Sequence, residues 1–434
     1  MATIPLLPNQ IWFLDNLYDP MIHPGRWAIG RAYSLNPAVT SRMAEAAVTS
    51  IWKHHESLRA RLSRIGGEWQ QQIGEPDTPA PFRSVDLSNI PVADRSTLIE
   101  KLIYDVAASI TVTGDTMVRF VFLSPGADNA PRLIFVAHHM VLDASSISVM
   151  TADLDTALTS LSKGVPVSLP RGASYAECAE AIHDFTVGEL PHELDYWAAL
   201  PWRQAVRPPA RPRPVNALRL WRTRAERLAA DFPTQNADWS GTGEAILAAA
   251  GAALTEWTGG PTWVTSMHHG RDLVTRDGRR VLPARAWRTV GWFATGGLRL
   301  LPHYEGQGLE EYARSLAATE PPNHGFGLPL MHWLKAVPDA EEMTGTMMAD
   351  SQVLFNYAPR SQSRGTLNVI GQAPERVQYY LDLLEPRQDI SIRVRNDDDG
   401  LMVNWDFDPT VLSSDVADRL ASKTVCLWGA NTAL

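Results

Sequence analysis

Cysteine is nearly absent: Cys178 and Cys426 are the two in 434 residues. Two thiols so far apart make neither a disulfide framework nor a metal-ligand spacing. No apolar run approaches the length that spans a bilayer. The start, Met1 to Pro5, lacks the basic segment followed by an apolar one that marks a secretory leader. An excess of positive charge is missing too. The net charge is −9, which argues against a nucleic-acid-binding protein. Together these absences predict a cytoplasmic protein that works on neither membranes nor nucleic acid. With 45% hydrophobic and 20% charged residues the composition is that of a folded protein. The length exceeds a usual single core, so two domains are expected.

Tryptophan is plentiful, at fifteen residues, but its ordinary work is burying area in cores. Histidine occurs in three adjacent pairs, His54-His55, His138-His139 and His268-His269, so a pair alone decides nothing. The middle pair has an informative setting. Arg132 to Ala137 is a short apolar run with Ile134, Phe135 and Val136, bounded by Pro131, and reads as a buried strand. It pairs plausibly with Met117 to Leu123 across the turn signal Pro125-Gly126. The strand delivers two imidazoles at its end, which alternation sends to opposite faces. Asp143 follows four residues after His139. Ser145 and Ser146 then open the pattern Ile147, Met150, Leu154, Leu158 and Leu161, which suits an amphipathic helix with a Ser at its N-cap. An imidazole titrating near neutrality can take or hold a proton, which a general base must do.

The segment His138-His139-x-x-x-Asp143-Ala144-x-Ser146 resembles the HHxxxDG core of nonribosomal peptide synthetase condensation domains. Other stretches match the same family in the same order. Gln10-Ile11-Trp12 resembles its first motif, and His55-Glu56-x-Leu58-Arg59 with Leu62 its HExLRxxF motif. Ser174-Tyr175 and Tyr196-Trp197 follow. Arg288-Thr289-Val290-Gly291-Trp292-Phe293, Asn323-His324-Gly325-Phe326-Gly327 and Phe355-Asn356-Tyr357 complete the set. Each is weak alone; their joint order identifies the chain as a member of the superfamily.

The resemblance implies an α/β fold of two chloramphenicol-acetyltransferase-like lobes in a V-shaped pseudo-dimer. Residues 1–180 would form the N-terminal lobe and 181–434 the C-terminal lobe, with a candidate latch near 357–375. It implies His139 and His138 as the catalytic histidines, His139 taking or positioning the proton of a nucleophile. Asp143 would brace the loop by a buried ion pair, with Arg271 as its candidate partner. Ala144, Ser146, Trp292 and Asn356 are the tunnel candidates. No tightly bound cofactor and no metal are implied. The substrate would arrive as a thioester on the phosphopantetheine arm of a peptidyl or acyl carrier protein. A small-molecule or carrier-bound amine or hydroxyl would meet it from the other side. With no carrier or adenylation segment in the 434 residues, the enzyme is expected to be free-standing and monomeric, meeting its carrier in trans.

Two departures from the family pattern matter. Ala144 replaces a Gly, which implies a negative φ there and a methyl group beside the tunnel. Arg288 to Phe293 and Gly325 to Gly327 look more like epimerization domains, whose EGHGRE motif supplies a second acid/base. The matching stretch here is Met267-His268-His269-Gly270-Arg271-Asp272. Met267 stands in the Glu position, and a thioether moves no proton at neutral pH. His268 or His269 could substitute, though a structural role suits either equally. The expected activity is therefore condensation to an amide or ester, with epimerization of a carrier-bound aminoacyl thioester as the alternative. A non-catalytic recruitment domain and an acyltransferase using acyl-CoA stand behind these.

Overall fold

The computed structural model describes residues 3–19, 24–114, 116–124, 126, 130–209, 222–228, 239–334, 343–347, 351–358, 368–372, 388–397, 400–409 and 412–432. Its strands are β1 (Thr3–Ile4), β2 (Ala28–Leu35), β3 (Ala60–Ile65), β4 (Glu68–Ile73), β5 (Phe82–Asp86), β6 (Val118–Ser124), β7 (Arg132–His138) and β8 (Arg222–Arg227). They continue with β9 (Thr262–His268), β10 (Thr295–Leu301), β11 (Val353–Ala358), β12 (Val369–Gln372), β13 (Ile390–Asp397) and β14 (Gly400–Phe407). The helices that matter for the site are α1 (Pro8–Phe13), α2 (Ser41–His54), α3 (Val92–Ala108), α4 (Ala144–Ser162) and α5 (Tyr175–Gly188).

The chain divides into two compact units. One comprises Met1–Phe185, His269–Ala294 and Gln362–Leu384; the other holds Thr186–His268, Thr295–Ser361 and Glu385–Leu434. The first segment ends near the boundary expected at residue 180. A single cut there is not the observed division, because residues 269–294 and the described 368–372 group with the N-terminal unit. Most of the candidate latch, 359–367 and 373–375, lies outside the described residues. Residues 369–372 form β12, an antiparallel edge strand on β2.

In the first unit a five-stranded mixed sheet runs in the order β12-β2-β7-β6-β5, beside a three-stranded sheet β1-β4-β3. β7 is the middle strand. Six of its seven residues are buried, as a continuous apolar run on a two-sided strand requires. α2 and α4 pack on each other. α2 begins where Thr40 accepts a hydrogen bond from the Met43 amide at 3.2 Å, and it buries Ala44, Ala47, Val48, Ile51 and Trp52. α4 buries Ile147, Met150, Leu154 and Leu158, the stripe read from the sequence.

The second unit has a six-stranded sheet in the order β10-β9-β11-β13-β14-β8, with parallel pairs β9/β11 and β11/β13. Its helix Trp239–Thr258 packs against Leu309–Ala318 and Ser414–Thr432. Buried Ala248, Ala249, Ala252 and Ala253 keep that helix thin enough for close approach. Each unit thus has its own apolar core.

Candidate active site

His138 is the last residue of β7, opposite Ala28, and His139 opens a single 3-10 turn over His139–Val141. The His139 amide closes on the Trp27 carbonyl at 2.7 Å. His138 is fully buried, and both of its ring nitrogens are committed. Nε2 lies 2.9 Å from the Pro24 carbonyl, and Nδ1 accepts from the Met140 amide at 3.1 Å. That arrangement defines a neutral imidazole with its proton on Nε2. Burial pushes its pKa down to about 3 against the opposing Pro24 bond. The catalytic assignment for His138 is therefore corrected: with no lone pair to offer, it holds the turn.

His139 is half-buried, with Nδ1 itself shielded from water. Burial pushes it down to about 4, against the pull of Asp143 and two backbone bonds, so it is neutral at pH 7. Its ring centroid stands 4.7 Å from that of Trp292 and 6.3 Å from Trp27. Trp12 closes the cluster, 6.0 Å from Trp27 and 6.5 Å from Trp292. Two tryptophans thus wall the imidazole, with Trp12 packed behind them, an apolar setting that accounts for the direction of its shift.

Asp143 and Arg271 meet. Arg271 Nη1 is 2.8 Å from Asp143 Oδ2, Nη2 is 3.2 Å from Oδ1, and both side chains are fully buried. Asp143, not a Ser, is the N-cap of α4; its Oδ1 accepts from the Ser146 amide and hydroxyl, both at 2.8 Å. A carboxylate caps more strongly here because it also carries the charge that Arg271 needs. Oδ2 takes two further donors, the amides of Phe293 at 3.1 Å and Ala294 at 3.0 Å. Burial alone would raise this carboxyl. Arg271 and the Ser146 donors outweigh it and hold the pKa below its ordinary value. The Ser146 hydroxyl also accepts from the Gly291 amide and Arg271 Nη2, each at 3.1 Å. It is a brace, and the sequence-level tunnel assignment does not describe it.

The N-terminal helix fixes the same turn from another side. Gln10 Nε2 donates to the Met140 carbonyl at 2.7 Å. Asn9 Nδ2 donates to the carbonyls of Trp292 and Ala294 at 2.9 and 2.7 Å. The motif residues around 10, 139, 143, 271 and 292 are thereby one hydrogen-bonded assembly within the first unit.

Other candidates fall elsewhere. Ala144 is exposed as the first residue of α4, with no positive φ, so its methyl group fits the helix without strain. Asn356 belongs to the second unit, half-buried on β11 opposite Met267. The adjacent His268 and His269 separate: His268 stacks on His324 in the second unit, rings 4.7 Å apart. His269 stays in the first, its Nδ1 accepting from the Arg271 amide at 3.0 Å, so it positions the brace. Asn323 and His324 both hold left-handed backbone, φ 46° and 54°, ahead of Gly325 at 81°. Such strain persists only where the surroundings impose it.

One buried polar cluster was not read from the sequence. His55 Nε2 is 3.0 Å from Asp153 Oδ2, and Arg288 bonds the other oxygen of Asp153. The signal was Asp153 itself, a charge on the apolar stripe three residues after Met150. Among the described residues, His54, His55 and Asp153 are a group whose ligand-type atoms converge, within 4.8 Å. The Asp153 carboxylate is already committed to His55 and Arg288.

A neutral, aromatic-walled histidine ends a central strand on a mixed α/β frame, and the chain belongs to the condensation-domain family. The family model for the condensation domain matches residues 1–319. A linear gramicidin synthase chain of Brevibacillus parabrevis is 27% identical over 371 residues, 82% of this chain. Chondramide synthase cmdD of Chondromyces crocatus is 26% identical over 400 residues, 87% of this chain. The chain spans 7% of the first of these relatives and 10% of the second. The epimerization domain from the third module of tyrocidine synthetase B has a TM-score of 0.83 at 17% identity, covering 100% of this chain and 97% of that one. The starter condensation domain of rhizomide synthetase RzmA gives 0.72 at 15%, covering 100% and 97%. Among the described residues no helix is long and apolar enough to cross a membrane.

Proposed function

We propose that the protein joins a carrier-bound acyl or aminoacyl thioester to an amine or hydroxyl nucleophile, forming an amide or ester and releasing the carrier thiol. The observation that supports it best is His139: neutral, walled by tryptophan, and on a turn held by His138, Gln10 and the Asp143–Arg271 pair. A thioester is already activated. Holding the nucleophile in line can lower the barrier by about 7 kcal/mol in favourable cases. With its pKa pushed to about 4, His139 is a weak base at pH 7 but a good hydrogen-bond acceptor. Its role in this reading is to orient the nucleophile's N–H or O–H, the proton passing to solvent or to the departing thiolate as the new bond forms. The family relatives, peptide synthases, fit substrate delivery on a phosphopantetheine arm.

A second reading, epimerization of a carrier-bound aminoacyl group, is favoured by the closer fit to the tyrocidine epimerization domain. It lacks a proton carrier at Met267, which lies on β9 opposite Gly296 of β10. Carrier loaded with an aminoacyl group and incubated in deuterium oxide without nucleophile separates the two. Condensation requires no α-deuterium uptake at a rate comparable to turnover, and a new amide or ester by intact-protein mass spectrometry once nucleophile is added. Rapid uptake that disappears in His139→Ala would refute condensation.

A further inference from the structure

We propose that the hairpin and turn at 274–287, in the first unit, form a docking surface for an acidic protein face, that of the carrier which delivers the thioester. The partner's identity rests on the acyl-transfer reading above; the surface itself rests on charge and exposure. The charge of this stretch runs against that of the chain. Residues 274–287 hold four arginines and one aspartate, a net +3 in a chain of −9, which leaves −12 on the other residues.

Local structure turns that charge outward. The Val281 amide closes on the Leu273 carbonyl at 2.9 Å, and the Gly278 amide on the Thr275 carbonyl at 2.9 Å, with Gly278 left-handed at φ 78°. Buried Leu273 and Leu282 anchor the two arms. Val274 lies directly opposite Arg280 and so shares a face with it, the face away from Leu273. Both are exposed, Val274 at 39%. Asp277 is taken by Arg279 Nε at 2.7 Å and by the Thr275 hydroxyl. Arg276, Arg280 and Arg285 are exposed, and none of them pairs with a carboxylate among the described residues. Like charges gathered on one short segment repel one another, and an acidic face laid against them relieves that repulsion.

The segment also offers an anchor. Trp287 is 47% exposed, with its ring against His269, centroids 4.4 Å apart. Tryptophan and arginine are the side chains that dominate protein–protein binding energy. Arg280 and Trp287 are seven residues apart, at most about 25 Å of extended chain, so one interface of ordinary size, about 800 Å² on each partner, reaches both. The surface is rooted in the brace of the candidate site. His269, beneath Trp287, accepts from the Arg271 amide at 3.0 Å, and Arg271 pairs with Asp143. A partner seated here is therefore held on the unit that carries His139, where a thioester has to be delivered. A nucleic acid fits less well. It would extend beyond the patch onto a chain that is otherwise −12, whereas screening confines a protein face to the charges it covers.

The test is the affinity of a fluorescently labelled aminoacyl carrier protein for the intact protein, read by anisotropy at about 0.05 and 0.3 M salt. Arg276→Glu with Arg280→Glu should raise Kd about tenfold or more at low salt and flatten its salt dependence, and Trp287→Ala should raise it about tenfold. Arg42→Glu with Arg83→Glu makes the same charge change at exposed positions on α2 and β5, and should shift Kd less than about threefold. Turnover of an aminoacyl pantetheine thioester, which has no protein face, should be the same in Arg276→Glu with Arg280→Glu as in wild type, while KM for the carrier rises. Carrier binding that the segment's variants weaken, without turnover of either substrate by wild type, would refute acyl transfer and still support the surface. Absence of carrier binding by wild type, unchanged affinity in either segment variant, or equal weakening by both arginine pairs would overturn the proposal. So would tighter binding of a short DNA duplex than of the carrier, or self-association in sedimentation that the segment's arginine pair abolishes.

Discussion

Replacing Asp143 by Asn tests the brace with almost no change in volume. The carboxylate receives six donors: two Arg271 nitrogens, the Ser146 amide and hydroxyl, and the amides of Phe293 and Ala294. They divide three to each oxygen. Whichever way the Asn amide turns, its NH2 therefore faces three donors, and Arg271 is left as a buried charge without its counterion. Breaking one partner of a buried pair costs about 3–5 kcal/mol. For a unit of this size each kcal/mol lowers the melting temperature by about 2 °C or somewhat more, so Asp143→Asn should melt about 6–10 °C below the wild type at pH 7. The pH dependence supplies an internal control. A carboxyl whose folded pKa is depressed stabilises fully above its unfolded value of 3.8 and loses that stabilisation as pH falls through the lower folded value. The difference between wild type and variant should thus be constant from pH 5 to 8 and shrink below about pH 4. Scanning calorimetry across that range is the assay. A variant melting within about 2 °C of wild type at pH 7 would refute the reasoning.

Other expectations follow from the same geometry. His139→Ala should fold with near-native melting and lose about 100-fold or more in turnover on saturating carrier substrate, an unchanged rate being the contrary result. With a hydroxyl nucleophile, which does not titrate in the range, the wild-type rate should stay level from pH 5 to 8 and fall as pH drops through about 4; an apparent pKa near 7 would contradict the orienting role. His138→Gln should act on stability, since two buried hydrogen bonds are disturbed, at a cost of about 1–3 kcal/mol. The depressed pKa of His138 makes its stabilisation complete above 6.5 and lost as pH falls toward about 3, so the variant's stability should decline less steeply across that window, as melting curves between pH 3 and 7 would show. Trp292→Ala, emptying a buried ring beside His139, should cost about 3–5 kcal/mol and reduce turnover as well; a rate equal to wild type would remove Trp292 from the site.

By itself the sequence determined the local elements and the family. The strand ending at His138, the stripe of α4, the strand Val353–Ala358 and the family motifs in order are properties of neighbouring residues. Alternation and helical spacing report burial without any knowledge of what lies opposite. What neighbours cannot report is which of two adjacent side chains finds partners far along the chain. His138 and His139 are equivalent as letters. Only the fold brings Pro24 to one imidazole and the tryptophans 27 and 292 to the other. Likewise the sequence offers Ser146 as a cap or a tunnel residue, and only the fold sets Gly291 and Arg271 beside it, as it sets His55 and Arg288 on Asp153. The division into units was tertiary for the same reason. Residues 269–294 follow a strand of the second unit, yet they pack with the first. Arg271 is satisfied by a carboxylate 128 positions earlier, and a buried charge goes where its counterion is.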